Sequence, residues 1–279
     1  MLIPLVDASA SVDSLDAVGI ARLGIGSDVF LDFSPSAGAS PPSAYRSLLQ
    51  SARLVVGPFS AVHVDAALAW LDAGASSVLF DCNVTAPEDP LAGAPALAGA
   101  LGELPASRVL VRLLGVPLSG DEPLSSAASS CARALRGVAS GLIFPVAHGA
   151  AAPASSSALR EIKTIATAVS KTARVCIETR TGMSAADVGR LHASGVDAVA
   201  AACVPRDEAD AAARAAAPGG ALCVGSAIAA CVRSDRPDGL FTTVVADAAG
   251  KVLGLVYSSK ASIVEAVRCG RGVYFSRSR

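Results

Sequence analysis

Aromatic side chains are scarce in this 279-residue chain: Phe, Tyr and Trp make up 4%, with a single Trp and two Met. Any core must therefore be aliphatic and rich in alanine, and the 52% of hydrophobic residues supply ample material for one. Charge is also sparse, at 17%, and nearly balanced at a net −1. That balance excludes a protein devoted to binding polyanions, so no nucleic-acid partner is expected. No apolar run is long enough to span a bilayer, so no membrane partner is expected either. The opening Met1-Leu2-Ile3-Pro4-Leu5-Val6-Asp7 has no basic start, and an aspartate stands where a signal peptide would stay apolar. A cytoplasmic location is the expectation. The seven cysteines are odd in number and show no C-x-x-C spacing. A disulfide framework and a local zinc knuckle both fail on that count, leaving small buried thiols.

What the chain does have is a repeated alternation. Short aliphatic runs at Leu2–Val6, Val29–Phe33, Arg53–Val56, Ser77–Phe80, Val109–Leu114, Leu142–Val146, Val175–Thr179 and Val196–Ala202 read as strands. Helical stretches are expected near 12–23, 42–51, 60–73, 92–103, 124–138, 155–171, 184–193 and 206–217. Continuously apolar strands alternating with helices predict a parallel sheet covered on both faces. Eight such units fit an α/β protein with a (β/α)8 barrel-like N-terminal domain over residues 1–232, and a doubly wound sheet is the other arrangement open to it. Gly74 and Gly195 fall where a helix would end before the next strand.

Barrel enzymes place their chemistry at the C-terminal ends of the strands. Asp7, Asp32, Asp81, His148, Glu178 and Arg180 occupy such positions here. Asp7 and Asp32 would make a carboxylate pair of the kind an isomerase-like barrel uses, although an aspartate closing a strand is also ordinary turn chemistry. His63 and His192 sit inside helical stretches and read as surface residues. Gly225-Ser226-Ala227-Ile228 resembles the last phosphate-gripping turn of phosphate-binding barrels, but the second glycine-rich turn that should accompany it is replaced by Cys203-Val204-Pro205-Arg206. The barrel is therefore read as non-catalytic.

The pattern changes at Arg233–Pro237, which reads as a linker. Phe241–Asp247 and Val252–Tyr257 flank Ala248-Ala249-Gly250-Lys251 and predict a β-hairpin, with Gly250 at a positive φ. A helix should follow, capped by Ser258 or Ser259, with Ser262 and Glu265 at capping-box spacing and Gly270 closing it. Gly272–Phe275 should begin a third strand. Residues 233–279 carry eight basic and four acidic side chains, a balance of +4, which leaves −5 for residues 1–232. The strand runs into Ser276-Arg277-Ser278-Arg279, whose guanidinium forks and hydroxyls suit phosphate.

On these residues (RSDRPDGLFTTVVAD, then LGLVYSSKASIVEAV, then GRGVYFSRSR) the segment 233–279 resembles the N-terminal part of phosphoribosyl-AMP cyclohydrolase, as that domain begins in fungal multifunctional histidine-biosynthesis proteins. The resemblance implies a small β-rich domain, hydrolytic opening of the adenine ring of phosphoribosyl-AMP, and a homodimer. It also implies zinc and magnesium as cofactors. The family's glycine loop, its Asp-rich metal motif and its zinc-holding cysteines are absent from the segment, so an incomplete domain with no ring-opening activity of its own is expected, and no metal ligand can be assigned. What carries over is Ser276, Arg277, Ser278 and Arg279 as a substrate-binding strand for a phosphoribosyl nucleotide. A non-catalytic scaffold and an isomerase-like barrel enzyme are the alternatives.

Overall fold

A computed structural model describes residues 2–7, 28–33, 42–116, 118, 126–146, 156–179, 183–204, 222–247 and 249–276. Eight parallel strands form the centre: β1 Leu2–Asp7, β2 Val29–Asp32, β3 Leu54–Phe59, β4 Ser77–Asn83, β5 Val109–Leu114, β6 Gly141–Pro145, β7 Arg174–Thr179 and β8 Ala198–Val204. Each pairs with the next in chain order, and β1 pairs with β8 (Leu2 with Val199, Leu5 with Ala202). The sheet thus closes into a barrel, which leaves it no free edge. The eight apolar runs of the sequence are these eight strands. A two-residue strand, β9 Leu222–Cys223, extends the end of β8.

The helices among the described residues are α1 Arg46–Ser51, α2 Val64–Asp72, α3 Ala94–Leu101, α4 Ser126–Ala134, α5 Ser156–Val169, α6 Ala185–Ala193, α7 Val224–Cys231 and α8 Lys260–Cys269. The helices expected near 12–23 and 206–217 lie outside the described residues. The strands are apolar on both faces because both faces are covered, and two cores result. Inside the barrel, Ile3, Phe30, Val55, Leu79, Leu110, Ile143 and Cys176 meet the small Ala198 and Ala200 of β8. Eight strands leave room for little more than such side chains. Outside it, the alternate residues pack against the helices. The scarce aromatics are pooled there: Phe33, Tyr45 and Trp70 stack with ring centroids 5.2–5.5 Å apart. Gly74, Gly195, Gly250 and Gly270 all adopt positive φ as their positions predict, a region that an L side chain resists.

The C-terminal hairpin pairs β10 Phe241–Ala246 with β11 Val252–Ser258, Val244 lying opposite Leu255. Asp247 ties the turn by accepting from the backbone N–H of Ala249 and Lys251. Three expectations are corrected here. The capping box of α8 joins Ser259 to Ser262; Ser258 instead bonds Thr243 across the hairpin, and Glu265 pairs with Arg268 one turn on. The third strand is reduced to one antiparallel bridge, in which Phe275 N–H donates to the carbonyl of Tyr257 at 2.7 Å. The expected linker is an ordered turn: Ser234 donates to the Leu240 carbonyl, and the Arg236 guanidinium grips Asp238 and lies over the Tyr257 ring.

Helix α8 joins this segment to the barrel's helical shell by lying against α7. A Cβ on Gly225 would stand 2.9 Å from the Cα of Val264, so the glycine is there to let two backbones meet. The same occurs one layer over, where a Cβ on Gly189 of α6 would meet the Ala230 carbonyl at 2.9 Å. Helix propensity alone favours Gly→Ala by about 0.5–1 kcal/mol. At Gly225 overpacking should outweigh that gain, giving a net destabilisation of about 1–2 kcal/mol. At Gly99 of α3, where a Cβ meets nothing within 4 Å, the gain should survive. Denaturant titrations of Gly225→Ala and Gly99→Ala are expected to shift in opposite directions, and a stabilised Gly225→Ala would refute the close-contact role.

Candidate functional site

Parity along the strands decides what faces the barrel's interior at its C-terminal end. Asp32, Asp81, Arg112 and Glu178 each follow an interior residue (Phe30, Leu79, Leu110, Cys176) by two, and so point the same way. The backbone of Asp7 is paired with that of Asp32, which places the two expected carboxylate positions side by side. The Asp7 side chain, His148 and Arg180 lie outside what is described.

Arg112 organises this layer. Its guanidinium binds Asp81 through two parallel contacts, Nε–Oδ1 at 2.7 Å and Nη2–Oδ2 at 2.9 Å. Its remaining nitrogen, Nη1, reaches both Glu178 oxygens at 3.0 Å. Asp81 and Arg112 are register partners on β4 and β5, and Glu178 comes from β7, so one side chain cross-links three strands. Burial works against the charge of Arg112, but hydrogen bonds and proximity to Asp81 and Glu178 more than offset it and hold its pKa above the ordinary value. The arrangement consumes the chemistry it contains, since a guanidinium forked between two carboxylates is a poor acid, and both oxygens of Glu178 already face a cation. A carboxylate base should be free to accept a proton from substrate; Glu178 is not.

The sequence-based reading named Asp81 and Glu178 but missed Arg112. Its signal was present: one arginine in the otherwise apolar VLVRLL, at the same parity as Leu110. At the opposite end of the barrel, buried Asp28 receives Ser76 Oγ at 2.9 Å and faces Arg53 and Arg174. That position belongs to stability in barrels of this kind. His63 bonds Ser60, and His192 is in the last turn of α6, as expected of surface histidines.

At the C-terminal strand, Ser276 is exposed; Arg277, Ser278 and Arg279 lie outside the described residues. The hairpin's outer face is apolar and open: Val244, Val252, Leu253 and Leu255 are each more than half exposed, beside Tyr274 and Phe275. Among the described residues no three His, Cys, Asp or Glu side chains gather so as to hold a metal ion. Four of the seven thiols are buried; Cys203, Cys231 and Cys269 are only partly so, which corrects the expectation that all are. The Cys82 and Cys131 thiols interact in the outer core: that interaction and burial push the Cys82 thiol up, and the same interaction draws Cys131 down to about 7 although burial opposes it. Among the described residues no helix is long and apolar enough to cross a membrane.

The fold and this layer together define a closed eight-stranded parallel α/β barrel carrying a hairpin-and-helix extension. Over a short stretch the chain is similar to multifunctional histidine-biosynthesis proteins of fungi. The chain is 69% identical over 48 residues to the histidine biosynthesis trifunctional protein of Saccharomyces bayanus, and 67% identical over 48 residues to that of Saccharomyces cerevisiae. It is 56% identical over 46 residues to the histidine biosynthesis bifunctional protein his7 of Schizosaccharomyces pombe. The matches to the two trifunctional proteins take in 17% of this chain and 6% of each relative; that to the bifunctional protein takes in 16% and 11%. The matched length is about that of the segment 233–279. No family model matches the chain. Looser likenesses in form are an aldolase, QR15 (TM-score 0.47, 12% identity, 72% of this chain and 89% of that one), and mandelate oxidase with (S)-2-phenylpropionate (0.43, 17%, 71% and 63%).

If Arg112 is a structural cross-link, Arg112→Met leaves two carboxylates without their cation, and a loss of about 3–5 kcal/mol is expected. The additional change of Asp81→Asn and Glu178→Gln should restore much of it. Trp70, the one tryptophan, reports the transition by fluorescence. A fully stable Arg112→Met would refute the role.

Proposed function

We propose that this chain acts in histidine biosynthesis as part of a multifunctional protein, and that residues 233–279 supply the opening of a phosphoribosyl-AMP cyclohydrolase domain. One observation carries the reading: identity of 50–69% over 46 to 60 residues to proteins of that pathway. In it, the boundary falls at 232/233, and Ser276, Arg277, Ser278 and Arg279 bind the phosphate of a phosphoribosyl nucleotide through charge-assisted hydrogen bonds. The barrel, residues 1–232, is a non-catalytic companion, a role supported by the engagement of Asp81 and Glu178 with Arg112 at its mouth. A homodimer through the hairpin is supported by the exposed pairing of Val244 with Leu255 and by Phe275 beside it, an apolar face that a partner would cover. The location proposed is the cytoplasm.

Calorimetric titration of the chain with phosphoribosyl-AMP tests the substrate-binding strand. Arg277→Gln and Arg279→Gln are each expected to weaken binding by about tenfold or more, the worth of a charged hydrogen bond. Unchanged affinity in both would overturn the assignment. The barrel's proposed inactivity is checked separately, by offering the chain a phosphoribosyl aminoimidazole isomerase substrate: turnover that Asp32→Asn abolishes would restore the isomerase-like alternative.

A further inference from the structure

The close crossings at Gly189 and Gly225 bring α6, α7 and α8 together, and between them lies a groove of about 580 Å³. Its walls are small: Gly189 belongs to α6, and Ala229 and Ala230 to α7. Its polar groups are three cations from three places in the chain, Arg190 of α6, Arg233 just after α7 and Lys260 at the start of α8, together with Ser226. Arg190 is shared with Asp187 in its own helix. Neither Arg233 nor Lys260 forms an ion pair among the described residues. Three like charges lining one concavity repel one another, an arrangement that an anion would relieve.

We propose that this groove, separate from the barrel mouth, is a binding site for the phosphate group of a phosphorylated small molecule. The walls indicate what is recognised. Ala and Gly present no side-chain donor or acceptor to read a base or a sugar, so selectivity rests on the anion. Two guanidinium groups, an ammonium and a hydroxyl match the several oxygens of a phosphate better than the two of a carboxylate. Because the cations come from α6, the α7–β10 connection and α8, an occupied groove clasps the hairpin segment to the barrel. Ligand binding is thereby linked to the attachment of the two parts, since whatever binds the joined state stabilises it.

Inorganic pyrophosphate is the probe, titrated calorimetrically into the full chain, with melting temperature as a second readout. Arg233→Gln and Lys260→Gln should each weaken binding by about tenfold or more, and the ligand should protect the segment 233–240 from protease. Both residues are exposed, so ligand-free melting should match the parent and show that the variants fold. Lys251→Gln in the hairpin turn, and the pair Arg277→Gln with Arg279→Gln, should leave a site that still depends on Arg233 and Lys260. Pyrophosphate affinity unchanged in Arg233→Gln and Lys260→Gln would overturn the proposal. So would its loss only in the Arg277/Arg279 pair, or a groove that takes poly-glutamate more tightly than pyrophosphate. Failure here leaves the cyclohydrolase reading standing, because that reading is tested on Arg277 and Arg279 with a different ligand.

Discussion

An eight-stranded barrel has room inside for side chains and for nothing else, and every part of this structure answers to that limit. Most of the interior is filled by apolar residues, large on β2, β4 and β5 and small on β8. At the C-terminal end the filling is ionic. Arg112 is forked to Asp81 and bonded to Glu178, which puts one guanidinium between two acids in a space with little water. Charges so placed are tolerated only when their geometry is nearly complete. Here it is, with four nitrogen–oxygen contacts at 2.7–3.0 Å. The layer that makes chemistry possible in other barrels is occupied by its own counter-ions.

That occupation bears on how the two parts divide the work. The barrel offers an end cross-linked by its own ion pairs and a helical shell. The C-terminal segment offers an open apolar sheet face. They are joined through backbone contact where Gly225 of α7 meets Val264 of α8, and within the barrel's own shell Gly189 of α6 meets Ala230 of α7 in the same way. Such contacts suit a shell rich in alanine and poor in aromatics. Small residues let helices approach closely, and the approach recovers by proximity some of the packing that the chain lacks in volume.

Three features at the helical shell belong together in this light. The turn at 234–240 is held by Ser234 and Asp238. The Arg236 guanidinium covers Tyr257 of the hairpin. Arg233, one step earlier, faces the groove with Lys260. The connection between barrel and hairpin is therefore a short ordered element that contributes one of the groove's cations.

The strands could be read from the sequence because each is a continuous apolar run bounded by glycine, proline or polar residues, and burial on both faces demands that pattern. The hairpin was equally legible, since Gly250 and Asp247 dictate the turn locally. Asp32, Asp81 and Glu178 were visible as acids at strand ends. The roles of Asp81 and Glu178 were not, because they depended on Arg112, which lies 31 residues from Asp81 and 66 from Glu178. The cap of α8 stayed open between Ser258 and Ser259 for a related reason: spacing allowed both, and only the cross-strand bond between Ser258 and Thr243 decided between them. The reason for Gly225 was hidden altogether, since a glycine at a helix start has the same sequence signature whether it faces a phosphate or the backbone of α8. Local pattern determined the elements; contacts between residues far apart in the chain decided which side chains are spent on structure and which remain to meet a ligand.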